Sequence, residues 1–234
     1  MARARRGGRP PIVPALLVAA AIGGGAWYLL QRRTPAPAVQ APASGQPAAP
    51  AAGGVDPAQD GKPVTVSGRL RVTRPPRDAQ LGIGADALVL ERRVEMLQWR
   101  ETCTGSRCEY ALAWSDQPID SSAFRERRGH ENPGRFPFAG ERFPAAEVRL
   151  GAYTVDVALA AEGIQPVAYA VRAAQLPPNL AATFRERDGW LYAGADAAKP
   201  AAGDLRVAYR IVPAGERTLH GVQRGSHLKP LPAR

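Results

Sequence analysis

The chain has 234 residues, 45% hydrophobic and 22% charged, with 24 glycines and 23 prolines, which suits one sizeable, turn-rich domain. Its net charge of +10 invites a nucleic-acid reading, yet six arginines (3, 5, 6, 9, 32 and 33) and no acid fall within the first 33 residues, leaving 25 basic against 21 acidic residues beyond them. Those later charges are interspersed, as in RERRGHE and FRERDGW, whereas a duplex-binding face gathers Lys and Arg on one surface; a nucleic-acid partner is excluded.

In chain order, a basic tail (residues 1–11) precedes an uncharged run, IVPALLVAAAIGGGAWYLL, at residues 12–30. As a helix this run spans about 28 Å, close to the ~30 Å of a bilayer's hydrocarbon core. Trp27 and Tyr28 stand near one end, where amphipathic rings favour the headgroup layer. Four arginines before the run and two after it place the N-terminus in the cytoplasm. The expectation is a single-pass anchor in the cell membrane with the remainder extracytoplasmic (periplasmic). The rival is a cleaved signal peptide ending at Ala36-Pro37-Ala38, which the intervening Arg32 and Arg33 disfavour. Either reading exports the domain.

Residues 31–61 follow as a Pro/Ala-rich linker, with almost no charge or large apolar residue between Thr34 and Asp60. Such a composition cannot bury a core and suits an extended, semi-stiff spacer. From residue 62 to 232 the pattern turns to short β-rich runs: PVTVSGRLRV, ALVLERRVEMLQWRE, EYALAW, EVRLGAYTVDVAL, WLYAG and DLRVAYRIV. IQPVAYAVRAAQ, stopped by Pro177-Pro178, reads as a short helix. The expected fold is α+β, predominantly antiparallel β.

Both cysteines lie in VEMLQWRETCTGSRCEYALAW, five residues apart. If residues 104–107 form a hairpin loop, Cys103 faces Cys108, and Glu101, Trp99 and Leu97 face Tyr110, Leu112 and Trp114. Alternation then collects Leu97, Trp99, Cys103, Cys108, Tyr110, Leu112 and Trp114 on one face, read as the core face, with Glu101 the misfit. The sulfurs would stand near disulfide separation, and export permits oxidation. A reduced buried pair is the alternative. A redox role lacks a C-x-x-C, and a zinc site lacks further ligands at a suitable spacing from His130, His220 or His227. No metal or cofactor is expected.

The runs LERRVEMLQWRE, YALAW, Ile119-Asp120-Ser121 with Phe124, and Gly129-His130-Glu131-Asn132-Pro133, followed by AAEVRLGAY, DGWLYAG, GDLRVAY and GVQRGSHLKPLP, resemble the blocks of the transmembrane protein 43 family, also called LUMA, in the same order. The similarity covers residues 62–232. The resemblance implies a membrane protein with a large lumenal or periplasmic domain, self-association or an envelope-protein partner, an organising role, and no enzymatic activity. The family usually continues into several C-terminal membrane helices; the chain is expected to be a bacterial member lacking them, since no second apolar stretch precedes Arg234.

Residues 82–87 fit G-x-G-x-x-A, but PPRDAQL precedes and a strand-like ALVLERR follows, so a turn between strands is expected in place of a dinucleotide site. His130 beside Glu131, or Asp120 beside Ser121, could supply a general base; the plainer reading is a loop whose side chains satisfy backbone groups before Pro133. Glu91, Arg92, Arg93 and Glu95 read as a solvated strand face or a partner surface. The expected function is therefore a membrane-anchored, non-enzymatic scaffolding domain, with Glu95, Trp99, Asp120, His130, Asn132 and Pro133 as its interaction or structural motif. The alternative is an envelope hydrolase built on residues 120–132.

Overall fold

A computed structural model describes residues 54–232. The basic tail, the apolar run at 12–30 and most of the linker lie outside the described residues. Among the described residues no helix is long and apolar enough to cross a membrane.

The strands run in the order β1 (Pro63–Arg74), β2 (Arg77–Asp78), β3 (Ile83–Gly84), β4 (Val89–Thr104), β5 (Arg107–Ser115), β6 (Glu141–Pro144), β7 (Glu147–Leu150), β8 (Tyr153–Val155), β9 (Val167–Tyr169), β10 (Arg185–Arg187), β11 (Trp190–Ala193), β12 (Leu205–Val212), β13 (Glu216–Arg224) and β14 (His227–Lys229). Two short helices, α1 (Val157–Ala161) and α2 (Pro178–Ala181), interrupt them. The antiparallel β character expected from the sequence is present. Residues 164–175 differ from their expected helix. Val167–Tyr169 pairs with β12 and only Ala173–Gln175 makes a helical turn, because Pro166 and the β-branched Val167 and Val171 suit extended backbone. Conversely, the end of the expected EVRLGAYTVDVAL strand coils into α1, where the Asp156 side chain caps the Ala158 N–H at 2.9 Å.

Five strands close a small barrel in the order β1-β13-β14-β8-β7. Its pairings are antiparallel except β14 with β8. Alternating residues fill the interior: Val66 and Leu70 from β1, Val148 and Leu150 from β7, Tyr153 and Val155 from β8, Leu219 from β13 and Leu228 from β14. Closure brings β14 so near β13 that a Cβ at Gly221 would stand 2.5 Å from the Lys229 carbonyl oxygen; only glycine fits there. Gln223 is fully buried, yet it accepts from the Tyr153 hydroxyl at 3.0 Å and donates to the Asp56 carbonyl at 2.7 Å. Gly61 N–H also bonds the Gln223 carbonyl at 2.8 Å. The folded unit thus reaches back to Asp56, ahead of the boundary at residue 62 that composition suggests.

The second sheet has the order β10-β11-β12-β4-β5, with β6 also on β4 and β9 also on β12. Its core face carries Leu90, Val94 and Met96 of β4 with Leu191, Leu205, Val207 and Tyr209, covered by Leu81, Ile83, Leu176 and Phe184. The glycine pair at 82 and 84 lies in the β2–β3 hairpin, so this motif is a turn.

The same alternation that buries Leu90 and Val94 also buries Arg92, which corrects the expectation of a solvated face over residues 91–95. The Arg92 guanidinium donates to Asp78 Oδ2 at 2.7 Å, the Ala139 carbonyl at 2.9 Å and Glu141 Oε2 at 3.2 Å. The Tyr209 hydroxyl shares Asp78 Oδ2 at 2.7 Å, while Asp78 Oδ1 accepts from the Gln80 and Leu81 amides. Burial, then the bond to Asp78, push the Tyr209 hydroxyl far above the usual phenol range. Replacing Asp78 by Ala removes the buried partner of Arg92, leaving it the Ala139 carbonyl and the more exposed Glu141, and should cost up to about 3–5 kcal/mol of unfolding free energy. A paired Asp78→Leu, Arg92→Met change should cost less. Denaturant titration followed by tryptophan fluorescence checks both.

Candidate interaction surface

The β4–β5 hairpin has the register read from the sequence: Cys103 faces Cys108, Glu101 faces Tyr110, Trp99 faces Leu112 and Leu97 faces Trp114. The ladder runs one pair further, to Thr104 and Arg107, so the turn narrows to Gly105-Ser106. The two sulfurs are bonded to each other. The face that carries them is not the core face, a correction to the expectation. Leu97 is buried, but Trp99, Cys108, Tyr110 and Trp114 are half-buried, Cys103 is exposed and Leu112 is 37% exposed. Beyond Leu97 the hairpin projects past the covering elements, and at its root the fully buried side chain on the reverse face is Gln98. Gln98 donates to the Gln117 carbonyl at 2.9 Å and accepts from Ile119 N–H at 2.8 Å.

Glu101 has a local purpose. It accepts from the Tyr110 hydroxyl at 2.6 Å and from Arg125 N–H at 2.7 Å. Those two bonds, the Tyr110 one foremost, hold its carboxyl below the usual range, and the same bond raises the Tyr110 hydroxyl. Tyr110 Oη in turn accepts from Glu126 N–H at 2.9 Å.

The Gly-His-Glu-Asn-Pro loop locks onto the opposite edge of β4. Where β12 ends, the ladder continues through Leu97 N–H to the Asp204 carbonyl and Gly203 N–H to the Leu97 carbonyl, both at 2.8 Å. The next rung is a side chain. Asn132 Oδ1 accepts from Trp99 N–H at 2.7 Å and its Nδ2 donates to the Trp99 carbonyl at 2.9 Å. A carboxamide has the donor and acceptor of a peptide group, so Asn132 substitutes for one residue of a missing strand. Its own N–H donates to Ser121 Oγ at 2.9 Å. Pro133 lies where a Cβ at Gly203 would approach to 3.2 Å, and Gly203 has φ +96°, so glycine is required on both counts. His130 stacks on Tyr110 with ring centroids 4.0 Å apart, meets Trp99 edge-on at 4.8 Å, and donates from Nδ1 to the Glu126 carbonyl at 3.0 Å. Asp120 caps the Ser121–Ala123 turn through Ser122 N–H at 2.9 Å; its bonds to Ser122, that from the side chain first, lower its carboxyl.

Strand register extends this outer face across the sheet. Glu95 pairs with Arg206, and Tyr192 of β11 with Arg206 in turn. The Arg206 guanidinium lies between two indoles, 4.4 Å from the Trp114 ring and 4.3 Å from the Trp190 ring, while Arg93 stands 5.6 Å from Trp190 on the same side. Glu95, almost fully buried beneath them, holds both arginines: Arg206 Nε reaches its Oε2 at 2.6 Å and Arg93 its Oε1. Three of the chain's four tryptophans thus share one face with interleaved arginines. Glu95, Trp99, His130 and Asn132 belong to this assembly; Asp120 and Pro133 brace its edge. In the sequence Trp114 reads only as part of the hairpin's core face, and Arg206 and Trp190 escaped notice. Their signal was present, since in GDLRVAY and GWLYAG alternation sets Arg206 opposite Leu205 and Val207, and Trp190 opposite Leu191.

A cavity of about 200 Å³ is lined by Trp114, Arg187, Trp190, Tyr192 and Arg206, and another of about 550 Å³ by Arg92, Arg93, Asp116, Phe136, Glu141 and Arg142 among others. Asp120 and His130 line neither; Asp120 bonds Ser122, and His130 Nδ1 bonds the Glu126 carbonyl. Glu101, Cys103 and Cys108 bring three ligand-type atoms within 4.8 Å, but the sulfurs are committed to each other.

Asn132→Ala should lower the unfolding free energy by about 1–3 kcal/mol, since it leaves both Trp99 backbone groups without partners; Asn132→Asp, which sets a carboxylate oxygen against the Trp99 and Ile119 carbonyl oxygens that the amide now donates to, should cost at least as much, measured by the same denaturant titration. Tyr192, bonded to Asp204, is pushed up to about 12 by burial and then by that carboxylate. A raised folded pKa favours the protonated form, so this stability is intact below about 10 and is lost as pH rises towards about 12. Melting temperature should be level up to pH 10 and fall beyond it, less steeply in Tyr192→Phe.

The family description Transmembrane protein 43 matches residues 92–233. The human Transmembrane protein 43 is 25% identical over 198 residues, covering 75% of this chain and 49% of its own length. The mouse protein is 26% identical over 198 residues, with the same shares. A Transmembrane protein 43 homolog of Drosophila melanogaster is 33% identical over 108 residues, 40% of this chain and 29% of its own length. The chain spans about half the length of the mammalian relatives. No solved structure matches it. The matched range contains the joints described above: Asn132 on Trp99, Pro133 on Gly203, and Gly221 under Lys229. The chain belongs to the transmembrane protein 43 family.

Proposed function

We propose that this protein is a membrane-anchored interaction module. The apolar run at 12–30 crosses the bilayer once, the Pro/Ala-rich segment acts as a spacer, and the β domain binds or scaffolds an envelope protein on the extracytoplasmic side without catalysing a reaction. One observation carries the reading: the outer face of the second sheet sets the half-buried Trp99, Trp114, Trp190 and Arg206 beside the exposed Arg93 and Arg187. Tryptophan and arginine are the residues in which binding hot spots are enriched: an indole offers a large, rigid contact area, and a guanidinium offers five donors in a planar fork. Here both are pre-set, since Glu95 and the stacked rings already hold the guanidinium groups. The family name supports the membrane setting, and the cysteine bond suits an oxidising compartment.

Two measurements test this. A photo-crosslinking amino acid in place of Trp190 should yield discrete adducts in living cells, and one in place of Glu216 on the barrel should not. Absence of adducts from Trp190, or the same adducts from both positions, contradicts the interaction face. For the address, a thiol reagent applied to unreduced, denatured protein should label neither cysteine, and external protease should cleave the β domain in spheroplasts while sparing it in sealed inside-out vesicles. The converse pattern refutes the extracytoplasmic placement.

A further inference from the structure

The backbone polarity of β5 follows from its partner. Leu97 and Trp99 of β4 use their N–H and C=O groups on Asp204, Gly203 and Asn132, all on the side away from β5. In an antiparallel ladder the residues opposite them, Trp114 and Leu112, therefore turn their own N–H and C=O groups away from β4, and alternation adds Tyr110. Among the described residues these outward groups have no hydrogen-bonding partner, and β5 pairs with β4 alone.

Exposed edges are ordinarily guarded by charge, proline or a bulge. At the other border of this sheet β10 is guarded in that way, reading Arg185-Glu186-Arg187. Residues 110–115 of β5 read YALAWS, with no charge, no proline and an unbroken register on β4. Among the described residues this border is left open over six positions.

The side chains beside it specify an occupant. On the outer face Leu112 and Trp114 offer apolar contact. On the reverse face Ala111 and Ala113 are too small to cover their neighbours, and Arg100, paired with Ala111, is exposed. Arg93, Arg107, Arg142 and Arg206 each have a carboxylate partner. Arg100 has neither an ion pair nor a side-chain hydrogen bond among the described residues. A strand laid against β5 would alternate between these two environments, one apolar and one cationic. We infer that the β5 edge accepts an extended segment of a partner protein whose side chains alternate between apolar and acidic, its backbone bonded to Tyr110, Leu112 and Trp114 and its carboxylates turned towards Arg100. The inference rests on the interaction-module reading and names the recognition mode within it.

The test uses the full chain in lipid nanodiscs and a fluorescent synthetic peptide of alternating Val and Glu, eight residues long. Binding should saturate, weaken about tenfold or more when Lys replaces Glu, and vanish when alternate peptide amides are N-methylated. Arg100→Glu should reverse the preference towards the Lys peptide. Leu112→Pro removes one outward N–H that no intramolecular bond uses, so it should weaken binding while leaving thermal unfolding close to that of the parent chain. Failure to saturate, indifference to N-methylation, or a dimer of this chain that Leu112→Pro dissolves would each overturn the inference. If the peptide fails while adducts from position 190 persist, only the edge proposal falls; if both are lost, the interaction-module reading falls with it.

Discussion

The side-chain alternation of β4 governs the rest of the domain. This strand is sixteen residues long and serves two environments, a covered sheet at its start and a projecting hairpin at its end. A period of two leaves no freedom: once Leu90 and Val94 face the core, Arg92 and Gln98 must face it too. Buried polar groups are tolerated only with partners. Asp78, Glu141 and Tyr209 therefore converge on Arg92, and the loop at Gln117–Ile119 wraps onto Gln98. The odd-numbered residues, Glu95, Trp99 and Glu101 among them, are thereby committed to the outer face, where the candidate partner surface lies.

The family motifs take on a physical meaning in this frame. Asn132 supplies a ladder rung that β12 is too short to supply, Pro133 packs against the positive-φ turn at Gly203, and Gly221 lets β14 close the barrel. These residues act on backbone geometry, and the aromatic and arginine side chains they hold in place carry the surface chemistry. Asp120 and His130 fit the same description, since each satisfies backbone atoms of its own loop.

What was legible in the sequence depended on range. The hairpin register could be read because loop length and parity are local, and so could the strand character of β1, β4, β5, β11 and β12. Which side of the hairpin faces the core could not, because the covering elements come from residues 81–88 and 176–184. The burial of Arg92 was hidden for the same reason: its partners lie 14 and 49 residues away, and Tyr209 lies 131 residues from Asp78. Barrel closure was equally obscure, since β13 and β14 mix Thr218, His220 and Gln223 among their apolar residues, and Gln223 is buried through a contact with Asp56 that no periodicity announces. Of the candidate site, Glu95, Trp99, His130 and Asn132 could be picked out from the motifs, whereas the Trp114–Arg206–Trp190 stack required the pairing of β5, β4, β12 and β11.

The central claim is that, among the described residues, β4 is held along both edges while β5 is held along one, leaving the aromatic face and its border open to a partner. Residue-resolved amide hydrogen exchange on the isolated chain tests it most directly. The account predicts strong protection at Leu97 and Trp99, and rapid exchange at Tyr110, Leu112 and Trp114. Protection of the Leu112 amide equal to that of Trp99 would contradict it, since the edge would then already be occupied.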